Sequence, residues 1–193
     1  MGGALKIKNY LEDFSYKREE NIMKNIYMPI VILLIILIKL SAASAEEIRF
    51  GILSHDVGAN LKQRHEKEYN ANIEYLFSNN YVFLLATPHI GTSLNTKGYT
   101  NSLYTGLTWH FDFTKKIFIE ASFGGAIHNG NLKTSLKKRA LGSRLLFRES
   151  FCLGVKVAEK HDISIMVDHM SNAGLVKPNP GLTDFGLRYG YKI

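Results

Sequence analysis

Apolar and polar side chains alternate along much of this chain. Between Ser102 and Thr114, Leu103, Leu107, Trp109, Phe111 and Phe113 fall on one parity, and Tyr104, Gly106, Thr108, His110 and Asp112 fall on the other. Successive side chains of an extended strand point to opposite faces, so this is strand periodicity, not helix periodicity. The same alternation predicts strands over 48–56, 68–78, 81–90, 102–114, 116–127, 141–157, 162–171 and 182–193. Several are longer than the strands of ordinary soluble sheets. Links at 79–80, 115–116 and 158–162 are short, and those at 57–67, 91–101, 128–140 and 172–181 are long. Short and long links in alternation describe an up-and-down barrel with tight turns at one rim and loops at the other. The expected fold is all-β, an eight-stranded antiparallel transmembrane β-barrel. A soluble lipocalin-like barrel is the competing arrangement, and it would turn the apolar stripes inward.

Met23-Lys24-Asn25 precedes an apolar run from Ile26 to Leu40, followed by Ala43-Ser44-Ala45. A short positive segment, an apolar core and a small-x-small site predict a cleavable signal peptide over 23–45, with cleavage after Ala45. The run is interrupted by Lys39 and is shorter than the roughly 20 residues a spanning helix needs. Residues 1–22 are polar and dense in charge at Lys17, Arg18, Glu19 and Glu20, which reads as an over-extended start with Met23 as initiator. The barrel domain is then 46–193. Its last strand keeps an apolar stripe through Phe185, Leu187, Tyr189, Tyr191 and Ile193, the kind of C-terminal strand read by the barrel assembly machinery.

The formal charge of +7 suits an exported protein that meets anionic membrane lipids, and nucleic acid is excluded as a partner beyond the inner membrane. Cys152 is the single cysteine, which rules out an intramolecular disulfide and a thiolate metal cluster. A barrel this small is filled by side chains. Tyr104, His110, Asp112, Arg144, Arg148 and Asp168 are expected to form its polar core.

One parity carries the chemistry. Ile163, Ile165 and Val167 continue into His169 and Ser171, so an imidazole and a hydroxyl sit at the end of a lipid-facing stripe, near the rim. A serine hydroxyl becomes a useful nucleophile when a neighbouring imidazole takes its proton. Among apolar residues this pair points to a lipid substrate.

The run His169-x-Ser171-Asn172-Ala173-Gly174-Leu175-x-x-Pro178-Asn179-x-Gly181, followed by Gly186-Leu187-Arg188-Tyr189-Gly190-Tyr191, resembles PagL-type lipid A 3-O-deacylases. The resemblance implies an outer-membrane barrel that hydrolyses the ester-linked 3-O-acyl chain of lipid A in lipopolysaccharide at the outer leaflet, without metal or cofactor. It makes Ser171 the nucleophile, His169 the base, and the Gly174 backbone N–H and Asn179 the oxyanion donors. A homodimer is left open.

The family acid falls on Thr183, with a carboxylate one place later at Asp184. One residue turns a strand side chain to the other face, so Asp184 would point inward unless a bulge near Gly181 re-aims it. Glu149 is a second acid candidate because it interrupts the apolar parity of Leu145, Phe147, Phe151, Leu153 and Val155. A hairpin turning about residue 160 would set Glu149 opposite Ser171 and diagonal to His169. Lys137, Lys138 and Arg139, with Lys133, are expected to meet the lipid A phosphates. His55-Asp56 ends the first strand without spaced partners, and His65, His89, His128 and His161 form no ligand set. A non-catalytic small barrel, an adhesin or a structural protein, would explain the strands and loops equally well, but not His-x-Ser at the end of the stripe.

Overall fold

The computed structural model describes residues 45–58, 66–77, 86–133 and 138–193. The expected signal segment up to Ser44, the segment 1–22 and the turn at 79–80 lie outside the described residues. Eight strands follow in chain order: β1 (Ala45–Ser54), β2 (Tyr69–Phe77), β3 (Thr87–Asn95), β4 (Ser102–Asp112), β5 (Ile117–His128), β6 (Leu145–Ala158), β7 (His161–Ser171) and β8 (Leu182–Lys192). Each pairs antiparallel with the next, and β8 pairs with β1, closing the barrel. Closure removes the unpaired edges that an open sheet would expose to lipid.

The alternation follows from the two solvents. Phe50, Ile52, Leu103, Phe111, Phe123, Phe151, Ile163, Ile165, Phe185 and Leu187 are exposed on the outside. The other parity is buried and largely polar. Arg49 bonds Glu47, Glu74 at 3.3 Å and Glu120 at 2.6 Å; Arg188 bonds Glu74 at 3.0 Å and Glu120 at 2.6 Å. Arg148 reaches Asp168 at 2.9 Å, and its guanidinium lies 3.6 Å from the centroid of the Tyr104 ring. Buried charges of this kind are tolerated because each has opposite charges in contact. Apolar stripes outside and ion pairs inside are the reverse of a lipocalin-like barrel.

Three expectations change. β3 runs past the expected end at 90 to Asn95, because its inward positions His89, Gly91, Ser93 and Asn95 are polar or small and carry no apolar signal; residues 81–85 of the expected strand lie outside the described residues. The loop after it is therefore shorter than expected, Thr96–Asn101. β6 begins at Leu145 rather than at 141; buried Leu141 caps the interior beside Tyr104, Leu146, Met170 and Leu182. His110 and Asp112 are partly exposed at the short-turn rim, and Arg144 lies at the long-loop rim, where it bonds the backbone oxygens of His128 (3.2 Å) and Gly130 (2.5 Å). Only Tyr104, Arg148 and Asp168 of the expected polar core are deeply buried.

Candidate active site

β7 delivers His169 and Ser171 to the outer face at the long-loop rim, both half-buried, while Asp168, Met170 and Asn172 of the same segment are buried. Two facing strands frame the imidazole. Glu149 of β6 is directly opposite His169 on one side, and Thr183 of β8 is directly opposite on the other. This corrects the expected register. β6 and β7 turn through Glu159–Lys160 with an irregularity between Lys156 and Ala158, so Phe147, not Glu149, stands opposite Ser171.

His169 Nδ1 lies 2.8 Å from Thr183 Oγ1. Gly181, in the left-handed region at φ 65°, leaves room for the ring: a Cβ there would sit 2.5 Å from His169 Cε1 and 2.9 Å from Nε2. The edge bearing Nε2 therefore leans along β7 toward the level of Ser171. Ser171 Oγ is 3.5 Å from the Ala173 backbone N–H, and among the described residues no hydrogen bond joins Ser171 to His169. Such contacts commonly tighten only when substrate is bound.

The loop after the nucleophile is built by Asn172. Its Nδ2 donates to the backbone oxygens of Leu141 (3.0 Å), Val176 (2.8 Å) and Pro178 (3.4 Å), and its Oδ1 accepts from Val176 N at 3.3 Å. Asn179 Oδ1 accepts from Asn172 N at 2.9 Å. Ala173 and Gly174 follow at φ 52° and 79°, and Gly174 is exposed with open space about its Cα. The sequence marked Gly174 and Asn179 and missed Asn172, whose place in the same motif was the signal.

Asp184 does not join the pair. It faces inward opposite Asp168, and no bulge re-aims it. Its Oδ1 lies 2.9 Å from His55 Nδ1 and accepts from Asp56 N at 3.0 Å; its Oδ2 accepts from Asn70 Nδ2 at 2.7 Å. The pairing of His55 and Asp56 with other elements was also missed, because their partners come from distant parts of the chain. His55 Nε2 lies 3.0 Å from Glu66, which also accepts from Thr100 N (2.9 Å) and Arg139 N (2.8 Å). Burial pulls the His55 pKa down, but hydrogen bonds and charge from Asp184 and Glu66 outweigh it and hold His55 up at about 9. Burial would raise Glu66, and its bonds to His55, Arg139 and Thr100 hold it below the usual carboxylate range.

The basic loop is more occupied than expected. Arg139 turns into the protein, with Nε 2.7 Å from Asp56, and its charge is spent there. Lys138 Nζ donates to Gly98 O at 3.2 Å beside the Tyr99 ring. Lys137 lies outside the described residues. On the outer wall an apolar groove of about 400 Å³ is lined by Phe123, Gly124, Gly125, Leu145, Phe147, Asn172, Leu175 and Val176. Phe147, the cross-strand partner of Ser171, and Asn172, its chain neighbour, both line this groove.

Residues 97–192, which span β4 to β8, match the family described as Lipid A 3-O-deacylase (PagL). These residues are similar to the PagL family. The lipid A deacylase PagL of Pseudomonas aeruginosa is 38% identical over 78 residues, 40% of this chain and 43% of the relative. That of Bordetella bronchiseptica is 32% identical over 79 residues, 41% of this chain and 43% of the relative. The matched stretch thus spans under half the length of these PagL proteins. The crystal structure of the outer membrane enzyme PagL superposes with a TM-score of 0.59 at 21% identity, over 76% of this chain and 99% of that one. That likeness is one of fold. It is shared by a closed eight-stranded barrel that here carries an apolar belt on its outer face.

Proposed function

We propose that the chain is a serine esterase that removes the ester-linked 3-O-acyl chain of lipid A at the outer leaflet. The observation that carries this reading is that His169 and Ser171 share the lipid-facing parity of β7 at the long-loop rim, beside an apolar groove, within the stretch matched to the PagL family. In this reading the acyl chain lies in the groove and its ester carbonyl meets Ser171 Oγ. The hydroxyl adds to the carbonyl carbon as its proton passes to His169 Nε2. The Gly174 N–H and the Asn179 Nδ2 donate to the oxyanion. Collapse breaks the bond to the sugar oxygen, which takes the proton from Nε2 and leaves as the free 3-hydroxyl. Water, deprotonated by the same imidazole, then releases the fatty acid and restores Ser171. Lys137 and Lys138 attract the lipid A phosphates. Export through a signal peptide at 23–45 and insertion by the barrel assembly machinery complete the proposal, which needs no cofactor.

Mass spectrometry of lipid A from cells expressing the wild-type chain or Ser171→Ala in an outer membrane tests it. The expected result is loss of one 3-hydroxyacyl mass with wild type only. An unchanged mass with a folded barrel would instead support a non-catalytic small barrel, the reading favoured by the lack of a carboxylate at His169 Nδ1.

A further inference from the structure

A histidine that takes a proton at Nε2 must carry its own ring proton on Nδ1 and donate it to a fixed acceptor. In most such sites one carboxylate performs two tasks: it holds that proton, and its charge steadies the imidazolium that forms. At His169 the acceptor is Thr183 Oγ1, 2.8 Å from Nδ1. A hydroxyl can fix the tautomer, but it brings no charge. Asp184, one residue away, is bound to His55 and Asn70 inside the barrel.

A carboxylate does stand on the other flank. Glu149 is the direct β6 partner of His169, and paired side chains of antiparallel strands begin roughly 4.5–5.5 Å apart at Cβ. It is exposed on a face otherwise given to Leu145, Phe147, Phe151 and Leu153, and no cation among the described residues pairs with it. A charge on a lipid-facing stripe has no packing role and is costly unless it has a use.

We infer that this chain divides the work of a triad acid between two strands. Thr183 on β8 fixes the His169 tautomer through Nδ1, and Glu149 on β6 supplies the negative charge that stabilises the imidazolium. This deepens the esterase reading and rests on it. Neither residue changes its bonding during the reaction: the Ser171 proton goes to Nε2 and then to the leaving sugar oxygen, Nδ1–H stays on Thr183, and Glu149 remains ionised. Both are positioning residues.

The test uses the full barrel, labelled with ¹⁵N-histidine and folded in detergent micelles, with His169 identified by the signals lost in His169→Gln. In wild type the neutral ring should be the Nδ1–H tautomer. Thr183→Val should shift it toward Nε2–H and lower kcat on the order of 10²-fold with little change in KM. Glu149→Gln should keep the tautomer, lower kcat about tenfold and move the acid limb of the kcat profile to lower pH, because removing a nearby negative charge makes the ring less basic. Adding Thr183→Glu to Glu149→Gln, which places charge on the opposite flank, should restore kcat and return the limb. An unchanged tautomer in Thr183→Val would overturn the part given to Thr183. A Glu149→Gln effect confined to KM, or failure of the rescue, would overturn the part given to Glu149. If the wild-type barrel hydrolyses nothing, the esterase reading fails and the charge-supplying role with it, while the tautomer still decides what Thr183 does.

Discussion

On the inner face of β7, Asp168 is buried against Arg148 and opposite Asp184, which is itself held by His55, Asn70 and the Asp56 backbone. One residue further along, on the outer face, His169 has among the described residues a single hydrogen bond, to Thr183, and Ser171 one long contact to its own loop. The same two strands thus carry a dense, charged, fully enclosed layer and a sparse reactive one. The difference shows where each requirement is met. The interior must satisfy charges taken out of water, so Asp168 is held by Arg148, and Asp184 by His55 and Asn70. A nucleophile and its base must stay open to substrate and to each other, so their surroundings constrain direction without saturating their bonds.

The comparison can be broken first from the inside. Arg148→Met leaves Asp168 buried without its cation and removes the contact with Tyr104, so stability should fall by about 3–5 kcal/mol. Urea titration of the barrel in micelles measures the loss. The activity of the molecules that remain folded should be unchanged, since Arg148 faces away from His169.

A smaller change should do the opposite. In Gly181→Ala the added methyl would press on the edge of the His169 ring and force a side chain into a left-handed backbone position. Displacing a base by a fraction of an ångström can cost on the order of 10²-fold in rate, so kcat should drop that far, while the backbone strain of about 1–3 kcal/mol lowers the urea midpoint by less than Arg148→Met does. A midpoint shift as large as that of Arg148→Met, with kcat retained, would contradict the separation of faces.

The smallest expected effect lies between the two layers, at the buried His55 that joins the segment after β1 to β8. Its folded pKa of about 9 is above its ordinary value of 6.5, so its stabilising contribution is complete below about pH 6.5 and is lost as pH rises through 9. Glu66, held low, contributes above the ordinary carboxylate range and loses that contribution as pH falls through its folded value. The segment joining β1 and β2 should therefore resist limited proteolysis best between these limits and be cut faster at pH 10 than at pH 7. His55→Asn should remove most of the alkaline change.

The barrel itself was legible because lipid outside and packing inside impose opposite polarities on alternate residues. Where the inward positions are small or polar, as at His89, Gly91 and Ser93, no apolar parity marks the strand, and its extension to Asn95 is not legible. Cross-strand register was less legible. Expecting Glu149 opposite Ser171 rather than His169 misplaces the partner by two residues in the β6–β7 hairpin, where an irregularity lies between Lys156 and Ala158. Arg139 illustrates another limit. Its charge suggested a substrate contact, but Asp56, far away in sequence, neutralises it.

The amino-acid sequence by itself determined strand number and the lipid-facing parity of His169 and Ser171, because these follow from local backbone geometry and a period of two; the inward turn of Asp184 needed the bulge-free register of β8. Tertiary structure alone decided who stands beside whom: Thr183 and Glu149 flanking the imidazole, Gly181 beneath it, and Asn172 clamping the loop. Those contacts depend on hairpin register and loop closure, which join residues distant in the chain and are selected by the summed packing of the whole barrel rather than by any one segment.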